Sequence, residues 1–356
     1  MRLTRFRLAL SALLFALVIT PNATATGAPT SAGSAPSRPI TGTAAAIKVL
    51  SKTTTGDRVV TYRISTPSLT MSSRTPLTVY VVLPTGYNQR SGRRYPVLYA
   101  LPGTSNKANV WLNNVNLVGM TSKLPVIIVI ADGTYNGDGG GFYTNWVDQG
   151  TSRGIANWET FHTQELVQWI DQRYRTIPTR AKRAIVGISQ GGFGSFSYAA
   201  RHPNEYGAAA AFSGAVDIYN GVQCQLGAGL MIPAIMTGLN QVEPFAPFGN
   251  PLTDAANWKA HDPGTIVRNL RHTRLDLFTS DGVPGESDLK NPAVPGTVGM
   301  EALMHQSNLC FRSAADAGGV TYHWHEWLVG THDWPYMARS LNAYLPILMH
   351  FFRTGR

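Results

Sequence analysis

Residues 185–194 read Ile185-Val186-Gly187-Ile188-Ser189-Gln190-Gly191-Gly192-Phe193-Gly194. It is a β-branched run that ends in G-x-S-x-G, and a helix-compatible stretch, Phe196–Arg201, follows it. A serine on so sharp a strand-to-helix turn needs neighbours without Cβ substituents, because the backbone passes close to itself, and three glycines supply that freedom. The pattern predicts a nucleophile elbow that holds Ser189 exposed above a sheet.

The segments around the elbow predict the sheet itself. Eight runs have the length and composition of strands: Arg58–Ser65, Leu77–Leu83, Pro96–Leu101, Val126–Ala131, Ala184–Gly187, Ala208–Ser213, Leu275–Thr279 and Tyr322–Leu328. Helical patterns at Asn157–Tyr174 and Met300–Ala317 lie between them. This alternation predicts an α/β fold with a mostly parallel sheet, helices on both faces and early antiparallel strands at one edge. Ile218–Pro263 reads as a loop-rich excursion that faces the substrate.

The N-terminus has the pattern of an export signal. Three arginines in the first seven residues precede an uncharged apolar run, Leu8–Thr20, and Ala23-Thr24-Ala25 offers small residues for cleavage. We therefore predict a signal peptide over residues 1–25, a flexible Ala/Ser/Thr/Gly/Pro-rich leader over 26–45 and a catalytic domain over 46–356. The prediction implies a secreted protein.

Composition narrows the classes of partner. The 356 residues are 44% hydrophobic and 14% charged, which is enough for one large buried core. The net charge of +10 is spread along the chain and forms no nucleic-acid patch, so it is consistent either with general solubility or with association with an anionic cell envelope. Cys224 and Cys310 can pair in an oxidising compartment or remain buried thiols. Neither has the spacing of a metal site, and His323, His325 and Glu326 fit packing or surface positions better than zinc.

A serine hydroxyl needs a base, and the base needs a partner that fixes its tautomer. The expected chain order is serine, acid, histidine. His332 follows the last predicted strand in a glycine-containing loop and is the candidate base. Asp281, Glu286 and Asp288 all lie in the polar turn after Leu275–Thr279 and qualify as the acid. Position alone favours Asp281, although Asp-Gly is also an ordinary turn dipeptide.

A developing oxyanion needs two backbone amides. One should come from Gln190, the residue after the serine, and the other from the turn Leu101-Pro102-Gly103-Thr104. Thr104 is favoured because Pro102 has no N–H, and the alternative is a plain strand-to-loop corner. The glycine-rich run 137–141 lacks the Lys-Ser/Thr of a P-loop. We predict that it forms a rim, with the aromatic residues that follow it serving as walls for an acyl chain or as core.

Several segments, taken in order, resemble the antigen 85 mycolyltransferase branch of the α/β-hydrolase esterases. They are Phe142–Trp146, Trp158–Phe161, the elbow, Trp258–Pro263, Thr273–Leu275, Pro284–Glu286 and Gly330–Trp334. The resemblance implies an α/β-hydrolase fold. In that family the acid is a glutamate a few residues after the strand that begins Thr-Arg-Leu, which implies Glu286 rather than Asp281. The family's histidine falls on His332 and its oxyanion amides fall on Gln190 and Thr104.

The resemblance departs at the oxyanion turn. The mycolyltransferases carry an Asp and an Arg there that contact trehalose, whereas this chain has Pro102-Gly103-Thr104-Ser105. The resemblance therefore implies a serine esterase or acyltransferase without implying trehalose as donor or acceptor. We expect an ester or acyl-lipid substrate, a sugar or alcohol acceptor if acyl transfer occurs, and no metal or organic cofactor. The alternative from another class is a secreted binding protein that retains the scaffold without turnover.

Overall fold

A single nine-stranded sheet organises the part of the chain that the structure, a computed structural model, describes: residues 47–289 and 291–355. The predicted signal peptide and leader lie outside those residues. The strands are β1 Lys48–Thr55, β2 Val59–Ser65, β3 Leu77–Val82, β4 Val97–Leu101, β5 Ile127–Ala131, β6 Arg183–Ile188, β7 Ala208–Phe212, β8 Arg274–Ser280 and β9 His323–Trp327.

The sheet is mixed, with the order β1-β2-β3-β5-β4-β6-β7-β8-β9. Strands β1, β2, β3 and β5 pair antiparallel, and the ladder from β5 through β4 to β9 is parallel. The predicted architecture is therefore confirmed, including the antiparallel edge. Strand β1 was not predicted. All eight of its residues are exposed, so its sequence lacks the buried face that makes a strand recognisable.

Burial on both faces explains the apolar runs at the centre of the sheet. Every residue of β4, β5, β6 and β7 is buried. Alternate side chains of β4 enter different cores: Val97 and Tyr99 pack into one cluster, and Leu98 and Ala100 into the other. Helices cover both clusters, as the fold class requires.

The principal helices are Trp158–Thr160, Leu166–Arg173, Gln190–Arg201, Ala255–His261, Val294–Gly318 and Trp334–Thr354. The predicted helix over Asn157–Tyr174 is present, with a π-helical turn, Phe161–Glu165, inside it. The helix predicted over Met300–Ala317 begins earlier, at Val294. Short helices at Val110–Asn113 and Leu117–Met120, and 3₁₀ turns at Thr70–Ser73, Arg180–Lys182, Val267–Leu270 and Glu286–Asp288, complete the connections.

The prediction of a loop-rich excursion after β7 is wrong in its first half. Residues 222–240, hereafter the cap segment, are helical: Val222–Cys224, the π-turn Gln225–Gly229, Leu230–Ile235 and the π-turn Met236–Asn240. Apolar packing of Ile232, Ile235 and Met236 outweighs the helix-breaking tendency of glycine and proline in this segment. By length and hydropathy the cap segment could cross a membrane, but 39% of it is buried in the fold.

A disulfide ties the cap segment to the rest of the molecule. Cys224 in the cap segment bonds Cys310 in helix Val294–Gly318, with their Cα atoms 6.6 Å apart. This settles the alternative that the sequence left open. The bond closes a separation of 86 residues, so it restricts the unfolded chain over the whole excursion after β7.

Candidate active site

Ser189 occupies a strained turn between β6 and the helix Gln190–Arg201. Its backbone angles are φ 56° and ψ −121°, a conformation that non-glycine residues rarely adopt. The neighbouring glycines are required by space: a Cβ on Gly187 would lie 1.8 Å from the Gly191 carbonyl oxygen, and one on Gly191 would lie 2.4 Å from that of Leu101. The backbone geometry is that of a nucleophile elbow.

The base predicted from sequence has a buried acidic partner. His332 Nδ1 lies 3.0 Å from Glu301 Oε2. The other oxygen of Glu301 accepts from the Ser213 hydroxyl at 2.7 Å and from the Ser280 amide at 2.9 Å. Glu301 is fully buried, so these three donors replace the water that a carboxylate would otherwise need. The arrangement fixes the imidazole with its Nδ1 towards the acid and leaves Nε2 for a second partner.

The prediction that Glu286 contacts His332 is wrong. Glu286 is exposed, in the short 3₁₀ turn Glu286–Asp288, and none of the hydrogen bonds among the described residues uses its carboxylate. Asp281 is also exposed and accepts from the Val283 amide, as a turn aspartate does. The carboxylate that reaches His332 comes instead from the helix after this turn, because that helix packs across the ends of β7 and β8.

Asp288, the third candidate acid, holds the loop that carries His332. Its oxygens accept from Thr331 Oγ1 at 2.8 Å and from the Tyr336 hydroxyl at 2.6 Å. It also accepts from the Gly285 amide at 2.7 Å. Asp288 is therefore a structural residue that fixes the loop on both sides of His332.

One signal in the sequence could have identified Glu301. It falls in the predicted helix Met300–Ala317, in phase with Met304, Phe311 and Ala315, all of which are buried. A glutamate on the buried stripe of an amphipathic helix requires a partner, because an isolated buried carboxylate is costly. The turn after β8 offers three carboxylates nearer the end of the strand, and the sequence alone therefore favours an acid in the turn over one in the helix.

The residues around Ser189 and His332 lie along the carboxyl edge of the sheet, at the ends of neighbouring strands. Ser189 follows β6, Ser213 follows β7 and Ser280 ends β8. The Ser189 carbonyl accepts from the Ala215 amide at 3.4 Å. Within the part of the chain that the structure describes, Ser189 Oγ makes no hydrogen bond to His332. Nucleophile–base contacts of this kind are often long in free enzymes and shorten in the substrate complex.

The two amides predicted for an oxyanion hole belong to segments that adjoin Ser189. Gln190 is the first residue of its helix, and its N–H is one of those that a helix cannot use internally. The turn carrying Thr104 packs against the elbow, since a Cβ on Gly103 would lie 3.2 Å from Ser189 Cβ. The Tyr143 hydroxyl donates to the Pro102 carbonyl at 2.6 Å and fixes this turn from below. Both amides belong to segments in direct contact with Ser189.

An apolar pocket opens beside Ser189. Its empty volume, including the open mouth, is about 370 Å³. Thr104, Ser189 and Gln190 line one side, while Phe142 and the cap segment provide apolar walls through Ala228, Met231, Ile232 and Ile235. Met304, one turn after Glu301, closes another side. Of the three aromatic residues predicted to form walls or core, Phe142 does both, since it lines the pocket and is buried in the core, whereas Tyr143 and Trp146 belong to the core.

The sequence is similar to a known family and to characterised relatives. The Esterase family model matches residues 70–348. The esterase Rv1288 of Mycobacterium tuberculosis is 32% identical over 201 residues, which is 56% of this chain and 41% of that protein. The diacylglycerol acyltransferase/mycolyltransferase Ag85B of Mycobacterium leprae is 29% identical over 272 residues, or 74% of this chain and 78% of that protein. The chain thus spans about two fifths of the length of Rv1288 and most of Ag85B.

Solved structures agree on the architecture. MPT51 of Mycobacterium tuberculosis superposes with a TM-score of 0.60 at 23% identity, covering 78% of this chain and 94% of that one. An S-formylglutathione hydrolase from Agrobacterium tumefaciens superposes with a TM-score of 0.61 at 18% identity, covering 85% and 99%. At these identities the likeness shows the fold alone, which is the α/β-hydrolase fold.

Proposed function

Because the chain belongs to the Esterase family, we propose that it is a serine-dependent carboxylic ester hydrolase or acyltransferase that works through an acyl-enzyme. The observation that carries the proposal is the buried contact between Glu301 and His332 beside the strained elbow of Ser189. A fully buried carboxylate on an imidazole, next to a serine in this conformation, supplies the parts that nucleophilic acyl transfer requires.

Each group has one role in the proposed reaction. Ser189 Oγ attacks the ester carbonyl carbon while His332 Nε2 takes the hydroxyl proton. Glu301 accepts from Nδ1–H, holds the tautomer and stabilises the imidazolium that forms. The Gln190 and Thr104 amides donate to the carbonyl oxygen as it becomes an oxyanion. His332 then passes its proton to the leaving alcohol, and the acyl group remains on Ser189.

The pocket suggests the acyl portion of the substrate. Its walls next to Ser189 are apolar, with Phe142, Met231, Ile232 and Ile235 facing the nucleophile. Burial of an alkyl chain stabilises binding by about 0.8 kcal/mol per CH₂. We therefore propose that the acyl chain of an ester or acyl-lipid enters between the nucleophile and the cap segment.

The second half-reaction decides whether the substrate is hydrolysed or its acyl group is transferred, because water or an alcohol can attack the same acyl-enzyme. The turn Pro102–Ser105 offers neither a carboxylate nor a guanidinium to a sugar acceptor. We propose an acceptor other than trehalose, with hydrolysis when no alcohol is bound. The disulfide supports the proposal that the protein acts outside the cytoplasm, since such bonds persist in oxidising compartments.

The test compares Ser189→Ala with the wild type. The wild type should turn over p-nitrophenyl esters and form a covalent adduct with a fluorophosphonate, and Ser189→Ala should do neither. Undiminished turnover in Ser189→Ala would refute the assignment, and a wild-type serine inert to both reagents would favour the binding protein. Product analysis with a lipid ester, with and without a sugar acceptor, then separates hydrolysis from transfer.

A further inference from the structure

The side chain of Gln190 has contacts that its backbone role does not explain. Its Nε2 donates to Thr104 Oγ1 at 3.2 Å and to the Gly139 carbonyl at 3.0 Å. A carbonyl oxygen is an acceptor only, so the nitrogen must face Gly139, and the orientation of the amide is fixed. Both amide hydrogens are then in use, which leaves none for the substrate. Gln190 is buried.

These two bonds join the start of the helix after Ser189 to two other segments, the oxyanion turn with Thr104 and the glycine run 137–141. The glycine run in turn contacts the cap segment, where Asn240 Nδ2 donates to the Gly140 carbonyl at 2.8 Å. A Cβ on Gly139 would lie 2.4 Å from Ile235 Cγ2, which lines the pocket.

The glycine run approaches the Gln190 side chain so closely that a larger residue would prevent the contact. Gly140 has φ +90°, and a Cβ there would lie 2.5 Å from Gln190 Oε1. Only glycine combines this backbone conformation with the space that the glutamine amide occupies. Gly140 is therefore explained by its fit around the Gln190 side chain, whereas Gly139 and Gly141 are confined by Ile235 and Trp158.

We propose that the Gln190 side chain is a positioning residue that holds the Thr104 amide in the oxyanion hole and couples it, through the glycine run, to the cap wall of the acyl pocket. The proposal rests on the proposed function. The backbone amide of Gln190 contacts the oxyanion itself, whereas the side-chain amide acts through Thr104. Because an oxyanion donor contributes only when it points at the developing charge, a small displacement of Thr104 weakens the transition state more than the substrate complex.

The experiment compares Gln190→Met, Thr104→Val and the double variant with wild type. Methionine keeps the length and the backbone amide of residue 190 but loses both side-chain bonds. On a short p-nitrophenyl ester, kcat per active site should fall about 10- to 100-fold with KM within about twofold, as expected for weakened oxyanion stabilisation. Active sites are counted by fluorophosphonate titration, so misfolded protein is excluded from the rate.

Two further measurements separate positioning from general stability. The Ki of a boronic acid, which forms a tetrahedral adduct on Ser189, should rise in step with the fall in kcat/KM, because its oxygen occupies the oxyanion hole. Thr104→Val should lower kcat in the same direction, and the double variant should lose much less than the product of the two single effects, because both act through one bond. Gln149→Met is the matched control, since Gln149 also donates to a backbone carbonyl but lies outside the pocket.

The outcomes are distinct. If Gln190→Met keeps kcat and Ki within twofold of wild type while wild type is active, the positioning role is wrong and the esterase proposal stands. Equal losses in Gln190→Met and Gln149→Met, or fully multiplicative effects in the double variant, also overturn it. If wild type and Ser189→Ala are equally inactive, it is the proposed function that fails.

Discussion

Replacing Glu301 by Gln tests which carboxylate serves His332. Glutamine has the same shape, and its single carbonyl oxygen can still accept from the Ser213 hydroxyl and the Ser280 amide, which lie 2.7 and 2.9 Å from Oε1 of the glutamate. Its NH₂ group then faces His332 Nδ1 in place of Oε2, which lies 3.0 Å from that nitrogen. A donor there requires Nδ1 to lose its hydrogen, so Nε2 carries the proton and cannot accept one from Ser189.

The expected loss follows from that tautomer. An acid-to-amide change at the corresponding position of a serine protease triad lowers kcat about 10⁴-fold, and we expect Glu301→Gln to lose about 10² to 10⁴. The three hydrogen bonds of Glu301 are retained but become neutral, which weakens each by about 1 kcal/mol, so Tm should fall by only a few degrees. Steady-state hydrolysis of a p-nitrophenyl ester and differential scanning calorimetry measure the two effects.

Glu286→Gln is the control, because Glu286 is exposed and its carboxylate has no hydrogen bond among the described residues. It should keep kcat within twofold. A Glu301→Gln enzyme that retains more than a tenth of wild-type kcat would refute the reasoning. So would a hundredfold loss in Glu286→Gln, which would restore the acid implied by the family resemblance.

Three further predictions concern the framework of the site. Cys224→Ser should lower the free energy of unfolding by about 4–5 kcal/mol, given the 86-residue separation, and dithiothreitol should no longer change the Tm of the variant. An unchanged urea midpoint would contradict this. Gly191→Ala should abolish turnover, because its Cβ would lie 2.4 Å from the Leu101 carbonyl oxygen. Gly299→Ala, whose Cβ would have nothing within 4 Å, should keep its activity and raise Tm slightly. Equal activities and equal Tm values for the two variants would count against the steric argument. Burial, and then the nearby Asp262 carboxylate, raise the pKa of Asp217 well above its usual range, so the native state binds the proton more tightly than the unfolded state and stability falls as pH rises above about 4. Asp217→Asn should therefore be more stable than wild type at pH 8 and nearly equal at pH 4, as measured by urea unfolding, and a pH-independent difference would show that the charge of Asp217 is not responsible.

The elbow and the central strands can be predicted from local sequence. The G-x-S-x-G turn is specified by local sterics, since Gly187 and Gly191 face backbone atoms that any Cβ would strike. Apolar runs long enough for buried strands specified β4 to β8, and alternation with helices specified a parallel arrangement. His332 was predicted because a loop after the last strand must lie at the same edge of the sheet as the elbow.

The acidic partner of His332, the helical cap segment and the disulfide depend on contacts between distant segments. Glu301 and Glu286 stand 15 positions apart, and both follow β8. Which of them reaches His332 depends on how helix Val294–Gly318 crosses the ends of β7 and β8. The apolar side chains of the cap segment pack into the main core cluster, and this packing brings Cys224 to Cys310. Local pattern encodes strands and turns, whereas contacts between segments distant in the chain depend on packing that no short window of sequence contains.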